Sequence, residues 1–151
     1  MSKQVNTGVK LSVSAGQPAT FDEAGYGAMT FTEVGEVLTV GEFGGQSDEV
    51  QSQPLATGVT EFFKGFIQYG NPSLGLERDA TDAGQLILKG HFDGAEKNDA
   101  LSGEVVLPDG EIIYLDVRVF SYNVNVGGAN SMIGSTANLR VNKVPVYVDA
   151  P

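Results

Sequence analysis

The chain has no cysteine and one histidine, and its 9 Lys and Arg are outnumbered by 19 Asp and Glu. Without cysteine there is no disulfide framework, thiolate metal site or cysteine nucleophile, and a lone histidine does not make a histidine-rich zinc site. Nowhere do about 18 apolar residues run together to cross a bilayer. The opening MSKQVNTGVKLSVSAGQ also lacks the ~7–15-residue apolar stretch of a secretory signal. A soluble product made in a cytoplasm, without a membrane partner, is expected. Duplex affinity is built on clustered Lys and Arg, and here they are scattered, so specific gripping of nucleic acid is not expected.

Catalytic signatures are missing too. There is no nucleophile elbow, no GxxxxGK[ST] phosphate loop and no GxGxxG opening a helix; Gly25-Tyr26-Gly27 stands in a loop. His91, without a second histidine or an identifiable nucleophile, is read as a surface or cap-linked side chain. Carboxylates pair at Asp22/Glu23, Asp48/Glu49 and Asp79/Asp82. None has the spacing of a cation loop, and the best stretch, Asp93 to Asp99, lacks alternating oxygen ligands followed by Gly and a distal Glu. They are read as solvated loop charge. No enzyme, cofactor or metal is expected.

What is present suits a packed core. The 151 residues are 41% hydrophobic, with 8 Phe and 5 Tyr, and a domain of that length buries roughly 68–70% of the surface its unfolded chain exposes. One domain spanning residues 1–151 is expected. Its formal charge is −10, and its 20 Gly follow no period, which speaks against a collagen-like or linker composition.

Residues 1–8 read as a loose arm, and Val9, Leu11 and Val13 then alternate with polar residues as a strand. Residues 14–30, rich in Gly, Pro and Ser, read as a connecting loop. Phe31 to Val40 has strand propensity, with Gly35 at a bulge or close backbone approach. Residues 41–58 contain Gly44-Gly45, acidic residues and Pro54 but almost no large apolar side chain, and are read as a long loop of the kind that is usually functional or disordered.

Residues 59–69 return to β-branched and aromatic types. Their Phe62, Phe63, Phe66 and Ile67 are read as core, with stacking on bases or sugars the weaker alternative. Asp79 or Thr81 is expected to cap a helix that presents Leu86, Ile87 and Leu88 to an apolar side and ends at Gly90. Pro108-Asp109-Gly110 marks a hairpin turn, because Pro sets φ and Gly accepts positive φ. After it Ile113, Leu115, Val117 and Val119 share one face, and Tyr114, Asp116, Arg118 and Tyr122 the other. Ile133, Ala137, Leu139 and Val141 repeat the inward pattern, with Thr136, Asn138, Arg140 and Asn142 outward. The polar faces are expected to be wet or to meet another subunit. Asp116, Arg118 and Arg140 on these faces are candidates for cross-strand ion pairs. Six or so strands predict a mainly β fold, an antiparallel sandwich or partly closed barrel with one flanking helix.

In order of elements the chain resembles the tail tube (major tail) proteins of long-tailed, non-contractile bacteriophages. The strings that carry the resemblance are FTEVGEV, the long loop after it, DATDAGQLILK, VVLPDGEIIYLDVRVFSYNV and NKVPVYV, spanning most of residues 9–148. The resemblance implies a β-sandwich with a flanking helix, related to type VI secretion tube proteins. It further implies homohexameric rings stacked into a hollow virion tail tube, assembled in the host cytoplasm, through which genomic DNA passes without specific binding. Tape measure, tail terminator and distal tail proteins would be its partners. The inter-ring contact loop would comprise Gly41, Glu42, Phe43, Gly44, Gly45, Gln46, Ser47, Asp48, Glu49, Gln51 and Gln53, and Asp116, Arg118 and Arg140 would be lumen positions unless they form cross-strand ion pairs. Six chains at −10 each would carry about −60, enough to keep phosphates off the wall across a Debye length of about 8 Å. The alternative is a β-sandwich binding module, an adhesin or carbohydrate-binding domain.

Overall fold

The computed structural model of the protein describes residues 3–150. Its elements run β1 (Lys10–Ala15), α1 (Glu23–Gly27), β2 (Thr32–Glu33), β3 (Val37–Thr39), β4 (Gln46–Ser52), β5 (Glu61–Gln68) and β6 (Ser73–Glu77). They continue as α2 (Ala83–Asp93), β7 (Leu101–Val106), β8 (Ile112–Asn125), β9 (Gly134–Val141) and β10 (Val146–Val148). The fold is mainly β, as the alternation predicted, with more strands than the sequence resolved.

One antiparallel sheet runs in the order β2-β1-β7-β8-β9-β6-β3, with β10 added on β8. Its terminal strands, β2 and β3, are separated in the chain only by residues 34–36. So short a tether reaches roughly 3.3–3.6 Å per residue, and the sheet must curl until its ends approach: a partly closed barrel. The stretch expected as one strand from Phe31 to Val40 breaks because Glu36 adopts a left-handed φ of 59°. Gly35 makes the close approach predicted for it, its N–H donating to Asp82 Oδ2 at 3.0 Å.

Inside the curl, β1 contributes Leu11 and Val13, β6 Leu74 and Leu76, β8 Ile113, Leu115, Val117 and Val119, and β9 Ala137, Leu139 and Val141. These are the inward positions the period-two pattern assigned, apart from Ile133, which lies just before β9 and is half exposed at 50%. Tyr122, read as outward, instead packs against the core, because the register shift between Val119 and Ser121 exchanges the faces of β8 beyond it. Leu107, Pro108, Asp109 and Gly110 form the turn into β8, with Gly110 at φ 100° as the Pro-Asp-Gly signal required.

Helix α2 closes the seam between the sheet ends. Asp82, not Asp79 or Thr81, is its cap, accepting the Gln85 N–H at 3.0 Å; Asp79 instead closes the preceding turn by accepting from Thr81. Buried Gln85 donates from Nε2 to the carbonyls of Gly35 and Glu77 and accepts the Asp79 N–H, each at 3.0 Å. The helix runs through Gly90 to Asp93 because Leu88 and His91 both bury against the body, and Leu86, expected on the apolar side, is exposed. The helix ends where the Gly94 N–H reaches back to Gly90.

The outer face of β1, β7 and β8 is not wet. Residues 14–30, expected to be a loop, contain α1, capped by Asp22 Oδ1 accepting the Gly25 N–H at 2.8 Å. This segment lies over the sheet, stacking fully buried Tyr26 on Tyr114 at 5.1 Å between centroids and 3° between planes. Phe21 meets Tyr26 edge-on, and Phe31 tilts against Tyr114. Aromatic contacts of these geometries add to the area they bury.

Candidate assembly surface

Strands β4 and β5 pair only with each other, as a two-stranded sheet separate from the barrel. The stretch expected as a long loop, residues 41–58, is therefore half of a hairpin: Gln46 to Ser52 lie opposite Gln68 to Glu61 with one register shift. Loop composition concealed this, because β4 is polar at nearly every position and its only large apolar side chain is Val50, set opposite Phe63. A two-stranded ribbon alone in water is marginal. Among the described residues no other element packs extensively on it.

The aromatic run of β5, expected in the core, is on the surface. Phe62 is 65% exposed, Phe63 54%, Phe66 86% and Ile67 51%. Monomeric proteins rarely leave contiguous apolar surface of this kind open, and where they do it marks an interaction site. The strand character of β5 was legible from its aromatic and β-branched residues, but the barrel core was already filled by β1, β6, β7, β8 and β9.

The ribbon is held at its root. Gly44 N–H donates to Tyr69 O at 3.1 Å, and Phe43 and Tyr69 pack against the core cluster. Gly70 sits at φ 109°, where a Cβ would stand 2.8 Å from Phe43 Cα, so only glycine fits between the two chains as they leave the barrel. Gly41, Glu42, Phe43, Gly44 and Gly45 thus belong to the root; Gln46, Ser47, Asp48, Glu49 and Gln51 belong to β4, and Gln53 follows it.

The three charged positions on β8 and β9 separate. Asp116 is buried, at 1% exposure, under the α1 segment, with Gln17 Nε2 donating to its Oδ1 at 3.2 Å. Burial pushes its pKa up, opposed by the Gln17 hydrogen bond and by the positive charges of Lys143 and Arg118. Tyr26 beside it is pushed up to about 12, by burial first and then by the Asp116 charge. Arg118 and Arg140 remain exposed and are direct cross-strand partners, like charge beside like charge. Of the two readings given for these three residues, the cross-strand ion pairs do not form: among the described residues the ion pair within 4.0 Å is Lys89–Asp93. Arg118 Nη1 donates to Asn98 O at 2.6 Å, and the Arg140 guanidinium lies 4.7 Å over the Phe120 ring.

His91, read as a surface or cap-linked side chain, is 3% exposed in the last turn of α2, with Nδ1 2.9 Å from Ile87 O. The helix period would have placed it on the Leu88 side had α2 not been ended at Gly90. The acidic pairs stay apart: Asp22 and Asp82 cap helices, and among the described residues no three of His, Asp and Glu converge to hold a metal. β7 pairs with β8 only as far as Val117, so among the described residues β8 is paired from Arg118 to Asn125 on one side alone, against β9.

No family profile matches the sequence, and no curated protein matches it. Solved structures do match in fold. A chain from the tail of an empty gene transfer agent particle, refined with C6 symmetry, is 14% identical, with a TM-score of 0.68 over 97% of this chain and 100% of that one. A chain of the anti-feeding prophage baseplate, 6-fold symmetrised, is 7% identical with a TM-score of 0.71 over 99% and 98%. The SPP1 tail tube protein is 12% identical with a TM-score of 0.57, over 91% of this chain and 75% of that one. The chain has the tail tube fold.

Proposed function

We propose that this protein is the structural subunit of a virion tail tube, a domain of residues 1–151 that self-assembles into hexameric rings stacked as a conduit for genome ejection. The observation that carries the reading is the β4–β5 ribbon, rooted in the core yet exposing four large apolar side chains, on a fold shared with components of six-fold phage-like tails. The one-sided stretch of β8 supplies a second unsatisfied surface, since an open edge invites pairing with another chain. In this reading β4 and its root form the inter-ring contact, the carboxylate excess keeps passing DNA from adhering, and the ends of the tube meet tape measure, terminator and distal tail proteins. No chemistry is assigned to the subunit.

Electron microscopy of the concentrated protein tests this. Hollow tubes or six-fold rings are expected; monodisperse monomer at every concentration, with saturable hits on a glycan array, would instead favour a binding module.

A further inference from the structure

The geometry points to the Arg118–Arg140 pair as the seat for the acidic hairpin of a neighbouring copy of this chain; the inference rests on the self-assembly reading above. Arg118 and Arg140 occupy directly opposite positions of β8 and β9, one turned to Asn98 O and the other over Phe120, without a carboxylate within ion-pair distance among the described residues, in a chain of net charge −10. Like charges directly opposite on a sheet destabilise it. The same outward face continues through Ser121, Asn123, Thr136 and Asn138, all uncharged, with Asn138 donating to Ser121 at 2.8 Å. The nearest carboxylate along β8, Asp116, is buried and engaged by Gln17. Glu96 and Asp99 share the cleft beside Arg118 without closing an ion pair, whereas no carboxylate lines the cleft of Arg140, so Arg140 above all calls for an anion from outside the subunit.

The hairpin has the matching chemistry. Asp48, Glu49 and Glu61 are exposed on it against one cation, Lys64, a local balance of −3 + 1 = −2. Phe62 and Phe66 stand ready to pack beside Phe120, itself 53% exposed under the Arg140 guanidinium. Its own carboxylates do not reach its own arginines. The ribbon leaves the barrel at Tyr69 and Gly70, next to Arg140 and Val141, where Gly70 O accepts the Val141 N–H. Glu49 lies four residues beyond Gly45, about 13 Å out at the rise of a strand. Each copy therefore presents a cationic seat at the root of its ribbon and an acidic, aromatic arm further along it. Such a pairing is heterologous, and heterologous contacts repeat into rings or stacks instead of stopping at a dimer.

Charge exchange in the full chain tests the assignment. Arg118→Glu with Arg140→Glu, and separately Asp48→Arg with Glu49→Arg, should each raise the concentration at half assembly by about tenfold or more, since juxtaposed like charges at an interface are strongly unfavourable. Both changes together should restore it to within about threefold. Circular dichroism and urea melts at monomer dilution check that the exposed substitutions leave the fold intact. The absence of cysteine gives a clean background for a second measurement: Glu49→Cys with Arg140→Cys should form intermolecular disulfides on mild oxidation. Rings that form without that cross-link, or reversals that assemble like the parent, overturn the seat and leave the tube reading standing. No assembly and no cross-link overturns both. Reversals that change duplex DNA retention alone overturn the seat in favour of a phosphate-facing surface.

Discussion

Phe66 is the sharpest probe of the assembly surface, because it is 86% exposed in the subunit although it sits in a strand. Full burial of a Phe side chain is worth about 1.5–3 kcal/mol, so burying the exposed share of Phe66 at a subunit contact contributes about 1.3–2.6 kcal/mol. Phe66→Ser forfeits that contribution, which at about 1.4 kcal/mol per decade raises the concentration for half assembly roughly tenfold to seventyfold. The subunit itself should barely notice, since exposed substitutions stay within about 0.5 kcal/mol. Sedimentation velocity over a concentration series reads the first effect, and urea unfolding at a dilution where only monomer sediments reads the second. An unchanged assembly midpoint would refute the burial of Phe66 between subunits. A loss of several kcal/mol in the monomer would refute it differently, by returning the side chain to the subunit's own fold.

Two further outcomes concern the buried aromatic and carboxylate cluster. The Tyr26 hydroxyl is buried without a hydrogen-bond partner in the subunit, so Tyr26→Phe should be neutral or stabilising by up to about 1 kcal/mol, whereas Tyr26→Ala should cost about 3–5 kcal/mol through the cavity; a marked loss of Tm in Tyr26→Phe would contradict the unpaired hydroxyl. Burial raises the Asp116 pKa above its ordinary 3.8. Between that value and the raised one the native state holds more protons than the unfolded state, and stability falls as pH rises. Relative to the parent, Asp116→Asn should therefore gain stability as pH climbs above about 3.8. Urea melts from acid to neutral pH check this, and a flat or falling difference would show that the carboxylate is not desolvated.

The strands with clear alternation were legible beforehand. Ile113 to Val119 in β8 and Ala137 to Val141 in β9 carry apolar side chains at every second position, and that period marks the face turned to the core because successive side chains point to opposite faces. The Pro108-Asp109-Gly110 turn was legible for a similarly local reason: its backbone preferences belong to the residues themselves. The helix was legible in kind but displaced in extent, since a cap is decided by which carboxylate reaches a free N–H, and Asp82 also bonds Gly35 from a distant strand.

Composition and local pattern, then, determined the mainly β class, the inward face of the barrel strands, the acidity and the absence of thiol chemistry, since each is a property of single residues or of neighbours in the chain. Only the tertiary structure decided that Tyr114 and Asp116 are covered, that His91 is inside, and that the aromatic β5 is outside while the polar β4 pairs with it. Burial depends on which faces are left to cover once the barrel core has filled. An apolar strand that finds no room inside remains exposed, however strongly its own residues favour the interior.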